Sequence, residues 1–300
     1  MTGFDPISVE LAKIIIKTLW ESGGNFLGWM DGSLSERKKQ RIYRASQQYI
    51  QKYTARRGIL NVLGMRQPIA LELVYTEVQV LDEQDIRWFE SIASLEEAYR
   101  QTRKGSYQPK DSSKQEGLKL ANEKQYLMVL GGSGAGKTTF LRRIGLEALK
   151  GKEGGFKQAC FPVFIELNQF KVGEINMEEV IAKEFRICDF PSPEESTKKL
   201  LQQGKLLILL DGLDELPIKN LNEAIIQIQN FVDQYDKNRF IASCRTAAYR
   251  SSFRRFTNVV LADFDAQIEQ FICNWFHSEA AEGVTRRFES VAGQGVQVLW

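Results

Sequence analysis

The chain has 300 residues, of which 43% are hydrophobic and 26% charged, and its net charge is +2. The length exceeds that of an average single domain, and the composition is typical of a globular protein. So small a net charge gives no overall attraction to nucleic acid or membrane. The four cysteines are widely spaced and there is one histidine, which argues against disulfides, a zinc site or two-histidine catalysis. Without a basic leader or a long apolar stretch, we expect a cytoplasmic protein with no membrane span.

The first third of the chain is predicted to be mostly helical. An apolar stripe predicts a helix over 7–20, and Ser35 is a suitable N-cap for a second helix that ends near Arg57. The β-prone stretch 59–81 predicts one or two strands, and 82–104 again has a helical pattern. The polar segment 105–119 lacks periodicity and predicts an interdomain linker.

The predicted helix over 37–57 is rich in basic residues interleaved with tyrosines. Such a pattern is most often a solvated face above a packing stripe. It also suits phosphate contact and base stacking, so a nucleic-acid-binding module stays an alternative function. Binding of DNA or RNA that weakens with salt would support this alternative.

Beyond residue 120, short apolar runs alternate with helical stretches. Strands are predicted at 125–130, 161–167, 206–210, 240–243 and 259–261. Helices are predicted at 136–150, 177–185, 194–203 and 221–235 and, after the last strand, at 266–276 and 284–292. The alternation predicts an α/β fold, with a helix-flanked parallel sheet after a smaller, mostly helical N-terminal domain. The predicted division is an N-terminal domain at 1–104, a linker at 105–119, an α/β core at 120–264 and the start of a helical domain at 265–300.

The strongest motif is GGSGAGKTT, residues 131–139, which fits G-x-x-x-x-G-K-[ST] between a strand and a helix. Glycines let backbone N–H groups point at a polyphosphate, and the helix N-terminus adds a positive dipole. Lys137, expected to be exposed on the loop, should reach the β- and γ-phosphates, and the Thr138 hydroxyl should bind Mg²⁺. The predicted nucleotide-binding residues are Gly131, Gly132, Ser133, Gly134, Ala135, Gly136, Lys137, Thr138 and Thr139.

A second motif, LLILLDGLDEL at 206–216, has an apolar strand that ends in acidic residues. Asp211 follows the strand directly, at the edge where open α/β sheets bind ligands. We expect it to hold Mg²⁺ beside Thr138. Either Asp214 or Glu215 is predicted to orient or deprotonate the attacking water.

A third motif, RFIASCRT at 239–246, contains a predicted strand that leads to Arg245 at the same sheet edge. A planar guanidinium pairs well with phosphate oxygens, so Arg245 is predicted to reach the γ-phosphate and to distinguish ATP from ADP. ATP is the expected nucleotide because the chain has no N-K-x-D sequence for guanine.

The motifs LGGSGAGKTTFLR, LILLDGLDEL and RFIASCRT, in this order, resemble those of a NACHT module of the STAND class of signalling NTPases. Phe256–Phe276 is similar to the strand and helix that follow in this family, and Tyr49–Leu81 to the domain before NACHT in bacterial members. The resemblance implies slow hydrolysis, with ADP holding a closed monomer and ATP permitting self-association, in bacteria as part of antiviral defence or signalling. Members usually continue with further helical, winged-helix and repeat domains, whose ADP-contacting proline and histidine have no match here. We therefore expect a fragment or a truncated member.

A conventional P-loop ATPase with steady turnover is the alternative enzyme. The chain has neither an LSGGQ signature nor a recognisable motif for an acceptor substrate. Turnover of about 10 s⁻¹, near the median for enzymes, would favour this alternative over a switch.

Overall fold

The computed structural model describes residues 36–60, 68–81, 114–170, 175–216, 221–249 and 253–261. The helices predicted at 7–20, 82–104, 266–276 and 284–292 lie outside these ranges, as does Cys273. The three cysteines within them, Cys160, Cys188 and Cys244, are free thiols. Among the described helices, none combines the length and apolar character needed to cross a bilayer.

The helices are α1 (Glu36–Arg57), α2 (Leu71–Val74), α3 (Gly117–Glu123), α4 (Lys137–Leu149), α5 (Met177–Ile187), α6 (Pro193–Gln202) and α7 (Leu221–Gln234). The strands are β1 (Ile59–Leu60), β2 (Ile69–Ala70), β3 (Gln79–Leu81), β4 (Lys114–Glu116), β5 (Tyr126–Gly131), β6 (Phe161–Glu166), β7 (Leu206–Asp211), β8 (Arg239–Arg245) and β9 (Thr257–Leu261). Short 3₁₀ turns follow β6, β7 and β8, at Leu167–Gln169, Leu213–Glu215 and Thr246–Ala248.

Two predicted segments differ from the structure. The stretch 59–81 forms three short strands and one helical turn rather than one or two strands. Residues 114–119, predicted as linker, form β4 and the start of α3. β4 has the sequence KQE, which carries no apolar periodicity, and it exists because its backbone pairs with β3. Tertiary pairing of this kind overrides weak local preference.

The main sheet has seven strands in the order β4-β3-β9-β5-β8-β7-β6. The five strands from β9 to β6 are parallel, and β3 pairs antiparallel with both β4 and β9. The predicted α/β class is therefore confirmed. Strands on both sides of residues 105–113 belong to one sheet, whereas the division into two domains stays a prediction.

Helices cover both faces of this sheet, so its central strands are apolar on both sides. Gly145 of α4 faces Leu209 of β7 on one face. Phe231 of α7 packs edge-on against Phe240 of β8, with ring centroids 6.1 Å apart, on the other face. Successive side chains of a strand point to opposite faces, and burying each large apolar one contributes about 1.5–3 kcal/mol. The resulting packed sheet holds the ends of its strands in fixed positions.

The basic residues of α1 fall into two groups. Near its C-terminus they contact the rest of the chain: Lys52 donates to the Ile187 carbonyl (2.5 Å), and Arg56 pairs with Glu184 (2.7 Å). Nearer its N-terminus they are exposed, at Arg37, Lys38, Arg41 and Arg44. Only the second group is free for a polyanion, and nucleic-acid binding by α1 stays a prediction.

We expect Gly145→Ala to destabilise the protein by at least about 1 kcal/mol, because α1 and α4 pack closely. A methyl group at this position would lie 2.0 Å from the Tyr53 hydroxyl oxygen and 2.9 Å from Cζ of that ring. The gain in helix propensity, about 1 kcal/mol, is too small to offset such an overlap. Urea unfolding measures the change.

Tyr53→Phe is the control, because the buried Tyr53 hydroxyl has no hydrogen-bond partner among the described residues. Alone it should be neutral or slightly stabilising, and combined with Gly145→Ala it should restore part of the lost stability. Wild-type stability of the Gly145→Ala variant would contradict this description of the α1–α4 contact.

Candidate nucleotide-binding site

The predicted site residues meet at one edge of the sheet. Gly131, the last residue of β5, pairs in register with Arg245, the last residue of β8. At the end of β7, Asp211 pairs in register with Glu166 of β6. Because these strands are parallel, their carboxyl ends lie at the same edge, where open α/β sheets bind ligands.

The loop between β5 and α4 forms a polar cradle. Gly136 precedes the first residue of α4 with a φ of 85°, a left-handed conformation that favours glycine. The first turn of a helix has N–H groups without intrahelical partners, and the helix dipole adds positive charge there. The most exposed residues of the loop are Gly132, Ser133 and Gly134, while Ala135, Lys137, Thr138 and Thr139 are half-buried.

The Lys137 side chain lies back across the loop. Its Nζ donates to the carbonyl oxygens of Gly131 (2.9 Å) and Gly132 (2.7 Å). The side chain is half-buried, so the expectation of an exposed lysine is wrong. Burial lowers the pKa of Lys137, and the nearby Asp214 carboxylate partly opposes this. The two carbonyl groups hold the ammonium at the site.

Asp211 joins the loop to β8. The hydroxyl of Thr138 donates to Asp211 Oδ1 (3.1 Å), and the hydroxyl of Ser243 donates to the same oxygen (2.6 Å). Ser243 in turn accepts a hydrogen bond from the Gly212 N–H (2.9 Å). The hydrogen bonds from Thr138 and Ser243 both end on Oδ1 of Asp211. Among the described residues, none donates a hydrogen bond to the other carboxylate oxygen, Oδ2. The two residues predicted to hold Mg²⁺ are thus in direct contact.

Asp214 is engaged by Arg245 through both carboxylate oxygens. Oδ1 accepts the backbone N–H of Arg245 (2.9 Å), and Oδ2 pairs with its Nε (2.9 Å). The Asp214 side chain is only 7% exposed, whereas that of Arg245 is 53% exposed. Asp214 therefore anchors Arg245 and leaves the outer end of the guanidinium facing solvent.

Glu215 is exposed, unlike Asp214. Its Oε2 accepts a hydrogen bond from Asn168 Nδ2 (3.0 Å), which belongs to the turn after β6. The chain reaches this position through Gly212, whose φ is 79° and where an added Cβ would lie 3.0 Å from Glu215 Cδ. A side chain at position 212 would displace the glutamate. Of the two predicted acids, only Glu215 has a carboxylate that faces open space.

Three polar residues at this edge were not predicted from the sequence as site residues: Ser243, Asn168 and Glu166. Ser243 lies within the apolar strand β8, Glu166 is the last residue of β6, and Asn168 lies in the turn that follows β6. A search for polar residues at the carboxyl ends of all predicted strands would have found Glu166 and Asn168. The role of Ser243 becomes visible only when β8 is placed beside β7.

The residues present fit a magnesium-bound nucleotide. Mg²⁺ prefers oxygen ligands and is often held by one or two protein groups together with phosphate and water. The Thr138 hydroxyl and the Oδ2 oxygen of Asp211 are such ligands, and Lys137 and the loop amides suit phosphate. When bound, the metal ion would offset negative charge on the phosphate oxygens.

A glycine-rich loop between β5 and α4, with its threonine bonded to an aspartate two strands away, defines a P-loop NTPase. The NACHT domain family model matches residues 125–279, more than half of the chain. The chain belongs to the NACHT domain family, as its motifs predicted. Membership implies nucleotide binding and hydrolysis.

Two solved structures are similar to the chain in outline. C. elegans PCH-2 is 13% identical, with a TM-score of 0.32, over 64% of this chain and 48% of that one. A Drosophila ORC structure bound to poly(dA/dT) DNA and Cdc6 is 9% identical, with a TM-score of 0.31, over 81% of this chain and 36% of that one. The chain thus spans less than half of either relative, and scores this low support no conclusion about function. No curated protein sequence matches the chain.

Proposed function

We propose that this protein binds ATP or ADP with Mg²⁺ and hydrolyses ATP slowly, as a nucleotide-controlled switch in the cytoplasm. The observation that carries the proposal is the hydrogen bond from Thr138 of the loop to Asp211 of β7, 3.1 Å long. It brings together the hydroxyl and the carboxylate that a P-loop site uses for magnesium. Membership of the NACHT family supports the same conclusion.

Each residue of the site has a proposed role. Lys137 and the loop amides bind the phosphates, and Arg245 reaches the γ-phosphate with the part of its guanidinium that Asp214 leaves free. Glu215 orients or deprotonates the attacking water, because its carboxylate is exposed and the described part of the chain offers a hydrogen bond to only one of its oxygens. Asp214 acts through Arg245 as a positioning residue.

The contact between Asp214 and Arg245 supports slow turnover. Arg245 is tied to Asp214 by its backbone and its side chain, so only part of its guanidinium is available to a γ-phosphate. We further propose self-association upon ATP binding and a role in antiviral defence, and both rest on the family resemblance alone.

Titration calorimetry with ATP and ADP, with Mg²⁺ and with EDTA, tests binding, and phosphate release tests turnover. We expect binding of both nucleotides and turnover well below about 10 s⁻¹. Sustained turnover near that rate would favour a conventional P-loop ATPase. Absence of binding by folded protein would contradict the proposal.

Asp211→Asn is expected to reduce the gain in nucleotide affinity that Mg²⁺ provides by roughly 10- to 100-fold, because contacts to charged groups contribute about 1.5–3 kcal/mol. The amide oxygen can still accept from Thr138 and Ser243, so the fold should persist. The gain is measured as the ratio of the nucleotide dissociation constant in EDTA to that in Mg²⁺. Asp233→Asn on α7 is the control. An unchanged ratio would remove Asp211 from the metal site.

A further inference from the structure

Helix α1 lies along β6 and ends at the same sheet edge as the nucleotide site. Tyr49, Tyr53 and Arg57 occupy one face of α1 at intervals of four residues. The Tyr49 hydroxyl donates to the Pro162 carbonyl near the start of β6 (2.9 Å), and Arg57 pairs with Glu166 at its end. Eight helical residues span about 12 Å and four strand residues about 13 Å, which fits helix and strand running in the same direction.

Glu166 is the register neighbour of Asp211. Adjacent strands are about 4.8 Å apart, and paired residues point to the same face. That face carries α4, where Asp211 meets Thr138, and α1, where Glu166 meets Arg57. The Arg57 guanidinium also lies over the Phe164 ring, with Cζ 4.4 Å from the centroid. Arg57 is thus fixed by a stacking contact and directs one Glu166 oxygen.

Arg142 completes a cluster of charges at this edge. It lies one helical turn after Thr138 and is partly buried, and its Nε has no hydrogen-bond partner among the described residues. Burial lowers its pKa, Arg57 lowers it further, and Asp211 and Glu166 raise it. Two arginines therefore face two carboxylates, and one of the arginines belongs to α1.

We propose that Glu166 is a further positioning residue of the nucleotide site, accepting hydrogen bonds from the water shell of a Mg²⁺ ion at Thr138 and Asp211, and that Arg57 of α1 holds it in place. Mg²⁺ keeps several waters, and second-shell carboxylates orient such groups. The inference rests on the proposed function. The Arg57–Glu166 contact both attaches α1 and positions Glu166 at the metal site. Binding of Mg²⁺-nucleotide and docking of α1 should therefore strengthen each other to the same extent.

The neighbouring pair Arg56–Glu184 separates this role from simple docking. Arg56 contacts both oxygens of Glu184, at 2.7 and 3.2 Å. Glu184 belongs to α5 rather than to a strand of the sheet. Both pairs therefore attach α1 to the rest of the chain, but of their two carboxylates it is Glu166 that is the register partner of Asp211.

The first experiment uses the full chain and its Glu166→Gln, Arg57→Gln, Glu184→Gln and Arg56→Gln variants. Calorimetry with ADP in Mg²⁺ and in EDTA gives the ratio of the two dissociation constants. Glu166→Gln and Arg57→Gln should reduce this ratio roughly 10-fold, the usual scale for second-shell residues, and the other two should not. If the ratio of the two dissociation constants is the same in Glu166→Gln as in the wild type, the proposal is overturned. This test does not depend on Arg57→Gln folding, because Glu166→Gln keeps the contact of Arg57 with the Phe164 ring.

The second experiment measures amide hydrogen exchange in α1 with and without Mg²⁺ and ADP. Bound nucleotide should slow exchange near the end of α1 in the wild type and in Glu184→Gln, but not in Glu166→Gln. Equal slowing in all three overturns the coupling. A wild-type chain that binds no nucleotide overturns the proposed function and this inference with it, whereas normal binding with both readouts unaffected by Glu166→Gln overturns the inference alone.

Discussion

Lys137→Ala is expected to weaken ATP binding by roughly 100-fold or more, because hydrogen bonds to a charged group contribute about 1.5–3 kcal/mol each. Lys137 is the first residue of α4, directly after the glycine-rich loop. Calorimetry with ATP and with AMP measures how much affinity the terminal phosphates add. In the variant, the affinity for ATP should fall towards that for AMP, because the ammonium proposed to bind the β- and γ-phosphates is lost.

The same substitution also removes two contacts within the loop. Lys137 donates to the carbonyls of Gly131 and Gly132, so the variant's loop should be less ordered while the packed sheet beneath it keeps the fold. Thermal unfolding should show only a small loss of stability. Lys198→Ala, at an exposed position on α6, removes one positive charge and should bind ATP normally. Unchanged ATP affinity in Lys137→Ala would show that the loop is not a phosphate site.

Glu215→Gln is expected to leave ATP affinity nearly unchanged and to slow hydrolysis by about 100-fold or more, the usual contribution of a general base. The glutamine oxygen can still accept the hydrogen bond from Asn168 that holds the glutamate. The substitution therefore removes the charge and the basicity while keeping the position. Single-turnover phosphate release measures the step without the rate of product release.

Asp214→Asn is the informative comparison. Asp214 uses both oxygens to hold Arg245, so its loss should weaken ATP binding as well as hydrolysis. Glu195→Gln, at an exposed position on α6, should affect neither measurement. Normal hydrolysis by Glu215→Gln would move the role to Asp214 or to a group outside this chain.

Much of this protein could be predicted from local sequence. The spacing of Gly131, Gly136 and Lys137 between an apolar run and a helical pattern predicted the loop, and the apolar run before Asp211 predicted a buried strand. These features depend on neighbours within a few residues, since glycine conformation and apolar periodicity are local properties. The α/β class and the NACHT family followed from them and are confirmed.

Tertiary structure alone decided which of these residues meet, and how. The order of the strands puts β8 between β5 and β7, so that Ser243 reaches Asp211, and adds the polar strand β4 to the sheet through β3. It also separates two adjacent acids, Asp214 bound to Arg245 and Glu215 facing solvent, which the sequence left as alternatives. Strand pairing and side-chain direction depend on residues far apart in the chain, so short sequence patterns cannot contain them.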